Sequence, residues 1–197
     1  MALPARLVAP EMTRKPATYA DLEALPSNQV GEIVAGELSA SPRPATPHGS
    51  SAFVLGGELY NPFGRGKGGP GGWIFVSEPE LHLGPDVLVP DIAGWRRERT
   101  PKLPNVVGIK MAPDWLCEVL SPSTARLDRV RKLPAYAREG VKHVWLVDPL
   151  QRTLEVFRLE GPHYLLLATH EEEAVVQAEP FEALALELRV LWEDVEE

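Results

Sequence analysis

The chain has 197 residues, of which 44% are hydrophobic, and its formal net charge is -8. This length and composition predict one domain with a sizeable buried core. The acidic balance argues against a general nucleic-acid binder, and no apolar stretch approaches the roughly 20 residues that a membrane span requires.

The two ends of the chain differ from its middle. Residues 1–17 lack the long apolar core of a signal peptide, so we expect a cytoplasmic protein that does not bind membranes. We expect this stretch to be a flexible N-terminal segment and residues 171–197 to be an acidic C-terminal segment. Both would belong to a single domain that spans residues 1–197.

The first third of the sequence predicts a short helix, a hairpin and a longer helix. "YADLEALP" is typical of a short helix, and "QVGEIVAGELSAS" predicts a hairpin that turns near Ala35-Gly36. A second helix is predicted from Thr46 to Leu59. The glycines of "GRGKGGPGG" indicate a flexible loop, and their order excludes a phosphate-binding P-loop.

The middle of the sequence predicts strands around one long helix. "GWIFVSE", "ELHLG" and "DVLVPDIAGW" are β-type runs, and "DWLCEVL" is apolar on both faces, as a central strand is. "SPSTARLDRVRKLPAYAREG" predicts a helix capped by Ser121 or Ser123, with a kink or a split at Pro134. "KHVWLVD" is the next strand.

These elements fix the expected fold class. A strand, a helix and a strand between Trp115 and Val147 predict one right-handed parallel crossover. The other strands are predicted to be antiparallel, including a hairpin that turns at Gly161-Pro162. We therefore expect an α/β (α+β) fold with a mixed sheet.

Three charged residues interrupt the local patterns. Asp91 follows Pro90 between apolar runs, Glu118 lies inside the apolar strand, and Lys132 lies in "DRVRKLPAY". If the two acidic strands are neighbours, both carboxylates share one edge of the sheet and need a cation to remain ionised. Oxygen ligands favour Mg²⁺ or Mn²⁺, and a nearby lysine would stabilise developing negative charge.

Each of these residues also has a purely structural alternative. Asp91 could be a turn residue, Glu118 could belong to a structural salt bridge, and Lys132 could be a solvated helix residue. The single Cys117 is predicted to be a small buried hydrophobe. The order and spacing of the three charged residues favour a shared site.

Three stretches resemble a known family. "VPDIAGW", "PDWLCEVLSPST" and "LDRVRKLPAYAREGVKHVWLVDP" resemble the Uma-type putative restriction endonuclease family, which belongs to the PD-(D/E)XK nuclease superfamily. The spacing D-x3-K-x3-Y-x3-G-V places Asp128, Lys132 and Tyr136 along one side of a helix. The resemblance implies a restriction-endonuclease-like mixed β-sheet core flanked by helices, with extra antiparallel hairpins.

The resemblance also implies an activity and a site. It implies a metal-dependent endonuclease, with Asp91 and Glu118 as ligands of Mg²⁺ or Mn²⁺ and nucleic acid, preferentially DNA, as substrate. The superfamily's usual lysine, two residues after the glutamate, is replaced here by Leu120, so Lys132 would enter from the following helix. The carbonyl of Val119 is a candidate further ligand, and additional candidate site residues are Glu32, Glu78 and His48.

The positive charge of the chain is concentrated around these motifs. Between Gly94 and Arg138 there are ten basic and four acidic residues, a local charge of +6. Such a segment is either an ordinary solvated face or a phosphate-binding surface. The candidate nucleic-acid-binding residues are Arg96, Arg97, Arg99, Arg126, Arg129 and Arg131.

Two other functions remain open from the sequence. One is a non-catalytic protein-interaction or structural module on a nuclease-like scaffold, which the acidic surface would suit. The other is a hydrolase that acts on a different phosphate ester, such as a nucleotide. We also expect a homodimer, in which the tryptophan and leucines of "LRVLWEDVEE" would be buried against a second subunit.

Overall fold

The structure is a computed structural model that describes residues 15–194. Residues 1–14 of the expected flexible segment and residues 195–197 of the acidic tail lie outside the described residues. The strands are β1 (Gln29–Val34), β2 (Glu37–Pro42), β3 (Trp73–Ser77), β4 (Glu80–Leu83), β5 (Asp86–Leu88), β6 (Ile92–Arg96), β7 (Gly108–Ile109), β8 (Trp115–Val119), β9 (His143–Asp148), β10 (Thr153–Glu160), β11 (His163–Glu171), β12 (Val175–Val176) and β13 (Leu186–Glu187).

The helices occupy the positions that the sequence predicts. The first two are α1 (Tyr19–Glu23) and α2 (Thr46–Leu59), and a π-helical turn (Tyr60–Gly64) continues α2. After β8 the chain forms α3 (Ala125–Leu127), a second π-helical turn (Asp128–Lys132), α4 (Leu133–Arg138) and, near the C-terminus, a 3-10 helix (Leu188–Leu191). Among the described residues, no helix is long and apolar enough to cross a membrane.

Two large sheets form the fold. One has five strands in the order β2-β1-β5-β4-β7, and the other has six in the order β11-β10-β9-β8-β6-β3. The parallel pairing of β8 with β9 confirms the predicted crossover. The short β7 is also parallel to its neighbour β4, so the prediction that all other pairs are antiparallel is wrong at this point. The mixed α+β class is confirmed.

The central strand β8 is buried along its whole length. Trp115, Cys117 and Val119 pack into one hydrophobic cluster, while Leu116 packs into the cluster on the other side of the sheet. This alternation explains why the strand is apolar on both faces. Glu118 is therefore a charged group at a position where the fold otherwise places apolar side chains.

The run "DVLVPDIAGW", which the sequence predicts as one strand, is divided between the two sheets. β5 pairs with β1 and β4 in the five-stranded sheet, whereas β6 pairs with β3 and β8 in the six-stranded sheet. Pro90 lies between them and lacks the N–H that a continuous strand would donate. The chain thus changes sheets at residues 89–91, and Asp91 lies where the two sheets meet.

Pro134 neither kinks nor separates the long helix at the position expected. It lies in the first turn of α4, where a missing N–H costs little. The irregularity precedes it, as the π-helical turn at Asp128–Lys132. The N-cap is Thr124, and the hydroxyl of Ser121 accepts its N–H at 3.3 Å.

The C-terminal apolar residues pack within the chain itself. Leu188, Leu191 and Trp192 are buried in the hydrophobic cluster of α2 and the six-stranded sheet. The hydroxyl of Ser51 on α2 donates to the carbonyl of Leu191 at 2.5 Å. The expectation that the tryptophan and leucines of "LRVLWEDVEE" are buried against a second subunit is therefore wrong.

Candidate functional site

One cavity of about 290 Å³ lies at the junction of the two sheets. It is bounded by β1, the connections from β2 to α2 and from β5 to β6, the end of β8 and the helical segment that follows. All six candidate catalytic, metal-binding and additional site residues line it, namely Glu32, His48, Glu78, Asp91, Glu118 and Lys132. The structure thus brings together residues that are up to 100 positions apart in the sequence.

The carboxylate of Asp91 is held from two sides. Its Oδ2 accepts the N–H of Val119 at 2.7 Å, and its Oδ1 lies 2.5 Å from Nε2 of His48. The first contact exists because β6 and β8 are neighbours, with Ile92 opposite Cys117. The prediction that Asp91 and Glu118 lie at one edge of the sheet depends on this pairing.

Lys132 is the positive partner of Glu118. Its Nζ lies 2.8 Å from Oε1 of Glu118, 2.9 Å from Oε1 of Glu32 and 3.3 Å from Oδ1 of Asp128. The lysine side chain is only 3% exposed. A lysine from the helix thus reaches the carboxylate that β8 buries, and the alternative of a solvated helix lysine is wrong.

The phenol of Tyr136 completes the contacts of Glu118. It donates a hydrogen bond of 2.5 Å to Oε1, the same oxygen that contacts Lys132. Asp128, Lys132 and Tyr136 follow one another at four-residue intervals in the π-helical turn and α4. We did not include Asp128 and Tyr136 among the site residues, although their spacing was the signal that could have identified them.

Burial sets the protonation of this cluster. Burial raises the pKa of Glu118 well above its usual value, the carboxylates of Asp128, Asp91 and Glu32 raise it further, and Lys132 opposes them. Burial alone would lower the pKa of Lys132, but the surrounding carboxylates outweigh it and raise that pKa well above its usual value. The ammonium is therefore charged at neutral pH.

Glu32 and Glu78 approach the cavity differently. Glu32 lies on β1, and its Oε1 also accepts the N–H of Val89 at 2.8 Å. Glu78 is exposed, has a left-handed backbone with φ of 47°, and its N–H donates to the carbonyl of Asp91 at 2.9 Å. The structure thus places Glu32 within the buried cluster and Glu78 at the solvent side.

The profile of the Uma2 family, described as "Putative restriction endonuclease", matches residues 16–190. The chain belongs to the Uma2 family. Among solved structures it is similar to "a putative nuclease belonging to DUF820 from Anabaena variabilis ATCC 29413", with a TM-score of 0.72 and 23% identity over 90% of this chain and 98% of that one. Comparison with curated proteins gives no match.

Membership of the Uma2 family supports a nuclease-like function for the chain. The similarity to the Anabaena variabilis protein, at 23% identity, shows that the two chains share a fold. The cavity contains Asp91, Glu118 and Lys132, which belong to the stretches that resemble the family.

The six arginines proposed to bind nucleic acid lie outside the cavity lining. Three of them form ion pairs with acidic residues, and Arg96 lies over the ring of Trp73 at 4.6 Å. The pairs are Arg99 with Asp114, Arg129 with Glu155 and Arg131 with Glu37. Arg97 and Arg126 are exposed. Glu155 and Glu37 lie outside the segment and neutralise part of its local charge of +6, whereas Asp114 lies inside it and is already counted.

The donor chemistry of the cavity suits a divalent cation. Carboxylate and carbonyl oxygens are the ligands that Mg²⁺ and Mn²⁺ prefer, and five carboxylate side chains line the cavity with one lysine. Among residues 15–194, no group of three or more His, Cys, Asp and Glu side chains is arranged as metal ligands. Two carboxylates are nevertheless sufficient for Mg²⁺, which usually retains several of its water molecules.

Proposed function

We propose that this Uma2-family protein is a Mg²⁺- or Mn²⁺-dependent endonuclease that hydrolyses phosphodiester bonds in DNA. The observation that carries the proposal is the convergence of Asp91, Glu118 and Lys132 in one cavity. A buried lysine among carboxylates is more typical of a functional site than of a surface that binds another protein. Burying such charges costs several kcal/mol, so they are usually kept for a function.

Asp91, Glu118 and the carbonyl of Val119 would hold the metal ion. A bound ion would supply Lewis-acid polarisation of the scissile phosphate and a lower pKa for a water molecule. His48 and the N–H of Val119 fix the orientation of the Asp91 carboxylate. This preorganisation means that the site does not have to reorganise when the substrate binds.

Lys132 would act as a charged group rather than as a base. Its raised pKa keeps the ammonium protonated, so its positive charge can stabilise the negative charge that develops on the scissile phosphate. Its contacts with Glu32, Glu118 and Asp128 hold the ammonium in place. Tyr136 holds Oε1 of Glu118 and thereby limits the rotation of that carboxylate.

A cleavage assay tests the proposed function. Supercoiled plasmid, single-stranded DNA and RNA are incubated with the protein in Mg²⁺, Mn²⁺ or EDTA. We expect DNA cleavage that requires a metal ion and that is lost in Asp91→Ala, because this variant removes one of the two carboxylate ligands. The matched control is Glu160→Ala, which removes an exposed carboxylate on β10 that does not line the cavity.

The outcomes separate the alternatives. Cleavage of RNA or of a nucleotide ester in place of DNA would correct the substrate class while retaining the site. If wild type cleaves nothing and Mn²⁺ does not raise its melting temperature, the metal-dependent endonuclease is refuted and the non-catalytic module is favoured.

A homodimer belongs to the same proposal, because two sites are suited to cutting both strands of a duplex. Its support is the outer edge of β11, a nine-residue strand at one end of the six-stranded sheet. No Lys, Arg, Asp or Glu lies between His163 and His170, and Leu165 and Leu166 are each 45% exposed. Edge strands are normally protected by charges or proline, so this edge favours pairing with a second copy.

Light scattering during size-exclusion chromatography tests the dimer. We expect wild type to elute as a dimer and Leu166→Lys as a monomer, because the lysine places a charge within the paired edge. Leu150→Lys, which alters a residue that is 49% exposed in the turn after β9, is the control and should remain dimeric. Wild type that is monomeric at every concentration would refute the dimer.

A further inference from the structure

The segment between β2 and α2 brings one exposed arginine to the cavity. Residues 41–45, "SPRPA", all line the cavity, and they include Arg43. The basic side chains of the lining are those of Arg43, His48 and Lys132. Since His48 contacts Asp91 and Lys132 is buried among carboxylates, Arg43 is the one with an exposed side chain.

The backbone around Arg43 restricts where its side chain can reach. Pro42 is the last residue of β2 and lies opposite Gln29 in the ladder with β1. Pro44 follows Arg43, so prolines with fixed φ angles flank the arginine on both sides. The residue before a proline also favours an extended conformation. Arg43 therefore extends from a restrained segment at the rim of the cavity.

The guanidinium of Arg43 is held only weakly. Its Nη2 donates one hydrogen bond, 3.2 Å long, to the carbonyl of Ser27. Within residues 15–194 it forms no ion pair with a carboxylate, in contrast to Arg99, Arg129 and Arg131. Exchanging one long hydrogen bond with a neutral carbonyl for a phosphate would therefore cost little.

The charge of the cavity explains why a rim cation is needed. Five acidic side chains line the cavity, namely Glu32, Glu78, Asp91, Glu118 and Asp128. Lys132 is already surrounded by three of them and is not free to attract a distant phosphate. A polyanion that approaches this opening is repelled unless a cation lies at its rim.

The size of the cavity limits how much of a substrate it can hold. Its volume of about 290 Å³ is at the lower end of the roughly 300–1,000 Å³ that is typical of sites for small ligands. A nucleic-acid strand would thus place one phosphodiester and its surroundings inside and continue outside. The next phosphate along the strand would lie at the rim, within the region that Arg43 borders.

We propose that Arg43 is a substrate-binding residue whose guanidinium binds a backbone phosphate next to the scissile one. This inference rests on the proposed function, and it assigns phosphate binding to a residue outside the basic segment from Gly94 to Arg138. Arginine suits the role because its planar guanidinium can bind two phosphate oxygens at once. The contact is to the backbone, so it confers affinity without sequence preference.

The test compares Arg43→Gln and Arg43→Lys with wild type in two assays. One measures binding of a fluorescent DNA duplex in EDTA at several salt concentrations, and the other measures steady-state cleavage with Mg²⁺. We expect Arg43→Gln to raise Kd and KM about tenfold, with a much smaller change in kcat. The plot of the logarithm of its association constant against the logarithm of salt concentration should be shallower than that of wild type, with a slope smaller in magnitude by about one. Arg43→Lys should recover part of the affinity.

Arg158→Gln is the matched control. Arg158 lies on β10 opposite His143, at the end of the sheet away from Glu118, and does not line the cavity. This control should retain the affinity, KM and salt slope of wild type. If wild type binds and cleaves DNA but Arg43→Gln behaves as the control does, the role of Arg43 is refuted and the nuclease stands. If wild type neither binds nor cleaves nucleic acid, both proposals are refuted.

Discussion

Replacing Lys132 with methionine should abolish cleavage and lower the free energy of unfolding by about 3–5 kcal/mol. Methionine keeps an unbranched side chain of similar length but removes the charge. Glu118, Glu32 and Asp128 would then lie close together without the cation that contacts all three. Cleavage would be lost because no ammonium remains to stabilise the developing charge on the phosphate.

The destabilisation of Lys132→Met should grow with pH. Burial already raises the pKa of Glu118 and of Asp128 in the folded protein, and Lys132 opposes both shifts. Without the lysine these pKa values rise further. A carboxyl group whose pKa is higher in the folded than in the unfolded protein stabilises the fold fully at pH values below its unfolded pKa. This stabilisation is lost as the pH rises through its folded pKa. The variant should therefore approach wild type in acid and diverge from it at neutral pH.

Urea unfolding in EDTA at pH values from about 4 to about 8 measures this difference. The range begins near the usual pKa of carboxyl groups and extends well above it. Lys142→Met is the control, since Lys142 is exposed and does not line the cavity. It should unfold as wild type does at every pH. Equal stability of Lys132→Met and wild type at neutral pH would show that the buried ion pairs do not form in solution.

The residues that meet in the cavity stand out in the sequence because they violate local patterns. Glu118 in an apolar strand and Asp91 after a proline are positions where charge is costly, and such costs are usually tolerated for function. The strand-helix-strand order predicted the parallel pairing of β8 with β9, and the apolar faces of β8 predicted its central position, whereas the pairing of β6 with β8 was only a condition of the prediction. These signals lie within short stretches of the chain, so they can be recognised in a single sequence without knowledge of the tertiary contacts.

Other features depend on contacts between residues that are distant in sequence. The division of "DVLVPDIAGW" between two sheets is decided by the partners of β5 and β6, which the run itself does not specify. The basic segment itself does not show all the ion-pair partners of its arginines, because some of them, such as Glu155 for Arg129, lie far along the chain. Trp192 looked like an interface residue because the surface of the core that it covers could not be foreseen.

The opposite effect on stability is expected for Glu118→Gln. The amide retains the shape of the side chain, and its oxygen can still accept the hydrogen bond from Tyr136. Lys132 keeps its contacts with Glu32 and Asp128. Because burial raises the pKa of Glu118, its ionisation costs free energy at neutral pH in the absence of metal, and glutamine avoids that cost. The variant should therefore be at least as stable as wild type in EDTA.

The cleavage rate should nevertheless fall about 10³-fold or more in Glu118→Gln, because a neutral amide is a poor ligand for Mg²⁺. The loss of the metal ion would remove several kcal/mol of transition-state stabilisation. Mn²⁺ should raise the melting temperature of wild type but not of this variant. Glu160→Gln, at an exposed position on β10, is the control for loss of a carboxylate and should keep both properties. Cleavage by Glu118→Gln at the wild-type rate would remove Glu118 from the site. General damage to the fold cannot explain two inactive variants of which only Lys132→Met loses stability, so together they would identify the cluster as a functional site.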